Sequence, residues 1–179
     1  MGGTPVATNL VPHGDFENEP DDWGTDSELV IFTEETDETI SAHGGTWFAW
    51  LGGGADDISV MLSPQFTIPA DTGWLSLETY AYLVFDSATM TGDFAEVVLY
   101  AEDEFDTPAE VFFSWNNGEY NTAGWDYFSA DIPVSTYAAK KFYVGVYSVT
   151  DALADDPTEQ QASNFFFDDM TFTAYACTP

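Results

Sequence analysis

Near the end of the sequence, Phe166, Asp168, Met170 and Phe172 alternate along a strand-like run, so a period of two aligns one carboxyl with three large apolar side chains. The opposite face receives Phe165, Phe167, Asp169 and Thr171. A buried carboxylate must be protonated, hydrogen-bonded or bound to a cation, because leaving it unpaired costs several kcal/mol. The chain has two lysines and no arginine, so an organic cation is rarely at hand. A metal ion is the natural partner, and an oxygen ligand suits calcium best. The plainer alternative puts Asp168 at the strand's end, simply solvated.

A second group of residues is suited to a ligand rather than an ion. If Leu75, Leu77, Leu83, Phe142, Val144 and Val146 face a core, then Tyr80, Tyr82, Tyr143 and Tyr147 face outward. Tyr100 joins them once Val97 and Leu99 point inward. Tyrosine rings stack on the faces of pyranoses, and a carboxylate such as Glu78 accepts hydroxyl protons. The competing reading covers these rings with a loop or another subunit. Trp23, Trp115, Trp125 and Tyr120 form a loop-borne candidate set, or else ordinary packing.

Catalysis finds little support. Glycoside hydrolysis needs two carboxyls flanking one bond, and the acidic run Glu34 to Glu38 sits in a loop without flanking aromatics. Lyase chemistry on acidic polysaccharides needs Arg, Lys or His, which this chain nearly lacks. His13 and His43 each stand beside glycine in a turn; they bind a metal only if they converge, and ordinary turn histidines are the simpler reading. No serine or cysteine has a nucleophile's surroundings. The chain reads as a non-enzyme.

The elements that must position these residues are strands. Apolar and aromatic runs recur between clusters of Gly, Pro, Asn and Asp: Val6 to Val11, Glu28 to Thr33, Thr46 to Leu51, Ile58 to Leu62, Gln65 to Ile68 and Trp74 to Phe85. Ala95 to Ala101, Val111 to Trp115, Trp125 to Asp131, Lys141 to Val149 and Ser163 to Thr173 follow. No stretch reads as a helix. The pattern predicts an all-β fold, a two-sheet antiparallel β-sandwich of jelly-roll topology, over one domain spanning 1–179. Residues 1–5 are expected to be flexible or an added start.

Composition bounds the partners. A formal net charge of -30 excludes nucleic acid and anionic membrane surfaces, since phosphate binding needs clustered Lys and Arg. A hydrophobic content of 45% excludes disorder despite that charge, and no apolar run is long enough for membrane insertion. Self-repulsion on this scale calls for salt, for specific cation sites, or for both. The single cysteine, Cys177, permits no intrachain disulfide but could tether two chains.

Several stretches, taken in order, resemble a known group of modules. The opening Asn9-Leu10-Val11-Pro12-His13-Gly14-Asp15-Phe16-Glu17-Asn18, the turn and strand Ala42 to Gly52, the Asn- and Gly-rich Asn116 to Trp125, the run Asp131 to Val146 and the closing Phe166 to Phe172 carry the likeness. Together they are similar to the calcium-stabilised jelly-roll modules of secreted bacterial proteins. These include carbohydrate-binding modules of families four, nine and twenty-two, and MAM-like modules of extracellular proteases. The resemblance implies a structural calcium held by Asp15, Glu17 or both, by a carbonyl near Gly44 to Thr46, and by Asp168. It also implies an extracellular, secreted or cell-surface module whose partner is a polysaccharide or other glycan. The alternative is a self-assembling subunit of a filament, surface layer or adhesin, with Thr4 to Val11 pairing to a neighbouring copy's sheet edge.

Overall fold

Short alternating runs broken by turn residues cannot sustain a helix, and the computed structural model contains strands and no helix over its described residues. Those residues are 6–18, 23–25, 31–33, 40–54, 57–85, 92–116, 121–133, 136–150 and 163–176. The strands β1 (Val6–Asn9), β2 (Gly24–Thr25), β3 (Ile31–Thr33), β4 (Phe48–Gly52), β5 (Asp57–Leu62) and β6 (Phe66–Thr67) lead to the long β7 (Thr72–Val84). After it come β8 (Phe94–Ala101), β9 (Glu110–Asn116), β10 (Asp126–Pro133), β11 (Lys141–Thr150) and β12 (Asn164–Ala176). The expected residues 1–5, the acidic run Glu34 to Glu38, Tyr120 and Cys177 lie outside the described residues.

The strands form two six-stranded antiparallel sheets in a jelly-roll sandwich. The first runs β10-β7-β12-β4-β3, the second β2-β5-β11-β8-β9, with β6 also on β11. β1 pairs with β12, Val6 opposite Ala176 and Asn9 opposite Thr173, so residues 6–9 add to their own chain's sheet. Between the sheets Leu75, Leu77 and Leu83 of β7 meet Val97 and Leu99 of β8 and Phe142, Val144 and Val146 of β11, none more than 2% exposed. Burying one such side chain contributes about 1.5–3 kcal/mol, so the alternation in β7, β8 and β11 fixes which face looks outward. Trp23 and Trp115 belong to this core as well, at 5% and 2% exposure. As large apolar rings reaching the inter-sheet space, they are packing residues, not a loop-borne ligand set.

β12 departs from simple alternation. Its pairing with β7 slips between Asp168 and Thr171, and Asp169 adopts a left-handed backbone at φ 48. This bulge inserts residues into one strand and reverses which side chains face inward. Phe165 and Phe167 lie in the core before it, Met170, Phe172 and Ala174 after it. Asp168 therefore shares a face with Phe166 but not with Met170 and Phe172, which corrects the strict period-of-two reading. The carboxyl is nonetheless fully buried.

Candidate functional site

The bulge of β12 is where the chain's opening loop and the turn before β4 meet. His13 and Phe16 both take left-handed backbones, at φ 54 each, folding residues 13–17 into a tight loop whose Phe16 is anchored in the core. Gly14 presses against the bulge: Met170 N donates to Gly14 O at 2.7 Å, and a Cβ on Gly14 would stand 1.9 Å from Met170 O. Only glycine fits there. Glu17 is thereby aimed at the turn, where its Oε1 accepts from Thr46 N and Trp47 N, each at 2.6 Å. Gly45, at φ 60, leaves the space this carboxylate fills, since a Cβ would come 2.3 Å from Glu17 Cδ.

Asp168 closes the other side of the turn. Its Oδ2 accepts from Gly44 N at 3.1 Å and its Oδ1 from Asp169 N at 2.7 Å. Burial pushes its pKa up from 3.8 to about 7, a rise that the Gly44 and Asp169 amides oppose and the Asp169 charge reinforces. Asp169 in turn bonds His43 Nδ1 at 2.7 Å, and the imidazole stacks on Tyr80 with ring centroids 3.4 Å apart. Glu17, Gly44, Thr46 and Asp168 are thus brought to one turn. Asp15 stays exposed, its Oδ1 3.4 Å from Glu17 N. The turn meets Glu17 and Asp168 with amide N–H groups, and among the described residues no three His, Cys, Asp or Glu side chains are grouped to hold a metal. His13 and His43 take separate partners, Asn18 and Asp169.

The outward tyrosines do not form one surface. Glu78, Tyr80 and Tyr82 stand on β7 in the first sheet, whereas Tyr100 of β8 and Tyr143 and Tyr147 of β11 stand in the second. The single face expected from the sequence is two faces on opposite sides of the sandwich, because β7 and β11 lie in different sheets. On the first, Tyr82 packs on buried Phe166 and on Trp125, whose indole N–H donates to Ser41 O at 2.8 Å. Tyr80 is sandwiched by His43 and Tyr127. Tyr80 and Tyr82 are half-buried by these contacts, while Tyr127 remains 51% exposed.

The second face has half-buried Tyr143 and Tyr147 and a Tyr100 that is only 8% exposed, and it carries a groove. Gly24, Thr25, Val60, Leu62, Tyr100, Phe105 and Tyr147 line a groove of about 380 Å³. Register explains its shape: β11 presents Tyr143, Gly145 and Tyr147 outward, with Leu62 of β5 opposite Gly145 and Tyr100 of β8 opposite Tyr143. Gly145 leaves a trough in which the Tyr100 ring lies; a Cβ there would come 2.7 Å from Tyr100 Cε2 and 3.2 Å from Leu62 Cδ2. Phe105, from the loop after β8, stands between Tyr100 and Tyr143, at centroid distances of 5.9 and 5.4 Å. Polar groups gather around Tyr143, which packs on Phe105. Gln65 Nε2 donates to Tyr143 Oη at 2.9 Å and to Glu102 Oε1 at 3.1 Å, and Lys141 Nζ reaches the same Glu102 oxygen at 2.8 Å. The ammonium and Gln65 hold the Glu102 carboxyl below its usual range, the Lys141 hydrogen bond being the larger effect. Sequence reasoning missed Phe105, Gln65 and Glu102, which all stand in loops with no periodicity to mark them.

No family model and no curated protein matches the sequence. Solved structures do match. A family 61 carbohydrate-binding module in complex with β-1,4-galactotriose superposes at a TM-score of 0.55 with 14% identity, over 92% of this chain and 97% of that one. The CBM22-1 xylan-binding domain of Xyn10C from Paenibacillus barcinonensis gives 0.55 and 11%, over 99% of each chain. A cleaved adhesin domain of Lys-gingipain from Porphyromonas gingivalis gives 0.55 and 13%, over 95% of this chain and 99% of that one. The likeness is one of fold. It bears out the jelly-roll modules to which the sequence motifs pointed, family twenty-two among them.

Proposed function

We propose that this chain is a non-catalytic, extracellular carbohydrate-binding module whose ligand lies in the groove of the second sheet. The observation that carries the reading is the groove itself: Phe105 and Tyr147, with the largely buried Tyr100, line about 380 Å³, and Tyr143, packed on Phe105, bonds Gln65, which also donates to Glu102. Sugar rings present apolar C–H faces and polar edges, which this arrangement matches. The fold neighbours that bind xylan and galactotriose give the same direction. Affinity electrophoresis and calorimetry against a panel of polysaccharides test the reading. Tyr147→Ala removes one stacking ring worth about 1 kcal/mol or more and should weaken binding roughly tenfold with an unchanged melting temperature. Unaltered affinity in that variant would move the ligand off this groove.

We propose as well that the module holds a structural calcium ion at the Gly44–Thr46 turn, as the resemblance implies. Support comes from the fully buried Asp168 carboxyl, whose oxygens suit this ion but accept from the Gly44 and Asp169 amides here, so the ion would have to replace those hydrogen bonds. Asp168 is the anchoring ligand, with Glu17 shaping the turn. Further ligands come from backbone carbonyls and water. The ion would supply positive charge to acids that otherwise repel one another, stabilising the folded chain.

A further inference from the structure

The groove has a neighbour of opposite chemical character. Phe105, 48% exposed, forms one wall of the aromatic groove and also lines a second hollow of about 630 Å³, bounded otherwise by Asp103, Glu104, Asp106 and Thr107. One ring therefore stands between a set of aromatic faces and three exposed carboxylates. The ammonium of Lys141 beside this loop bonds Glu102 at 2.8 Å and also feels Asp103, so it offsets only part of their charge. Around the site the chain carries a net charge of -30 with two lysines in all.

We propose that the groove selects glycans bearing protonated primary amines, of the glucosamine type, over neutral, N-acylated or anionic ones. This rests on the glycan-binding reading above and names its ligand class. A pyranose stacked in the groove carries its substituents at the ring's edge, toward the walls. An ammonium there meets the exposed ring face of Phe105, a contact adding about 0.5–2 kcal/mol. It also lies within the reach of Asp103, Glu104 and Asp106, since charges remain coupled over about 8 Å at physiological salt. An acetamide or a hydroxyl gains neither contribution. A uronate or sulfate is repelled by the carboxylates and by the field of the whole surface.

Calorimetry with the whole chain tests this, using glucosamine hexasaccharide, N-acetylglucosamine hexasaccharide and xylohexaose in mildly acidic buffer with a constant low calcium concentration, at low and high sodium chloride. The free-amine oligomer should bind at least about tenfold more tightly than the other two at low salt, the difference narrowing as salt rises. Asp103→Asn and Asp106→Asn should lower affinity for the free-amine oligomer alone, while Phe105→Ala lowers it for all bound oligomers. Equal affinity for the amine and acetylated oligomers would overturn the amine preference and leave glycan binding standing. Amine-oligomer binding that survives Phe105→Ala unchanged and vanishes with salt would overturn it too, as diffuse attraction to an acidic surface. Failure of every oligomer and polysaccharide to bind would remove the glycan reading with it.

Discussion

Asp168 holds the chain's most consequential proton. The folded carboxyl keeps it up to about pH 7, whereas the unfolded one releases it near 3.8. Between these values the folded state binds more protons, so this group's contribution to stability is full at low pH and is lost as pH rises through that window. A calcium ion at the turn would reverse the trend near neutrality by favouring the ionised form. We therefore expect the melting temperature of the wild type, measured against Asp168→Asn in chelator, to decline from pH 4 to pH 7.5 by roughly 4 °C or more, since 1 kcal/mol moves a chain of this size by about 2–4 °C. Adding calcium at the upper end should restore the wild type and leave Asp168→Asn unmoved. A difference that stays flat with pH would mean that Asp168 titrates normally. Equal calcium responses would place the ion elsewhere. Glu17 plays another part, accepting two backbone N–H groups, so Glu17→Gln should destabilise the protein by about 1–3 kcal/mol with or without calcium, read from chemical denaturation.

Gly145 shows how one position in a strand decides whether a face can bind. It separates Tyr143 from Tyr147 on the outer side of β11, and the Tyr100 ring occupies the space its missing side chain leaves. Gly145→Ala should push that ring outward, narrow the groove and weaken glycan binding severalfold, at a stability loss of about 1–3 kcal/mol. A crystal structure with Tyr100 unmoved would contradict this account of the groove. The alternation that exposes Tyr143 and Tyr147 was legible in the sequence, as were the strands themselves, because β7, β8 and β11 each have one apolar face long enough to impose a register. Two things were not legible. Periodicity within a strand does not say which sheet the strand joins, so tyrosines of β7 and β11 looked like one face. A bulge has no period, and the slip at Asp168 and Asp169 needed the opening loop's Gly14 against Met170 to make it visible. The convergence of Glu17, Gly44 and Asp168 on one turn was foreseen through the motif order; their meeting through backbone amides was not.

The acidic surface acts on the molecule as a whole, and its effect must be separated from that of any single ion. Among the described residues Asp93 and Asp168 are the only buried acids, and the other described acids reach solvent. Repulsion among exposed like charges opposes the compact state but is screened by salt: the Debye length falls from about 30 Å at 0.01 M to about 3 Å at 1 M. With calcium chelated, the melting temperature should climb by about 5 °C or more between those ionic strengths and then level off, because screening saturates once it is shorter than the spacing of neighbouring carboxylates. Sodium and potassium chlorides should act alike, whereas sulfate would add a surface-exclusion effect and confuse the reading. Asp168→Asn should show the same climb, since its buried carboxyl contributes little to a surface field. A melting temperature insensitive to monovalent salt would mean that the surface charges are already neutralised by bound counterions, and the dependence of stability on the saline environment would fall. A climb confined to calcium, and absent in Asp168→Asn, would instead assign the whole effect to the turn at Gly44 and leave no role for the field.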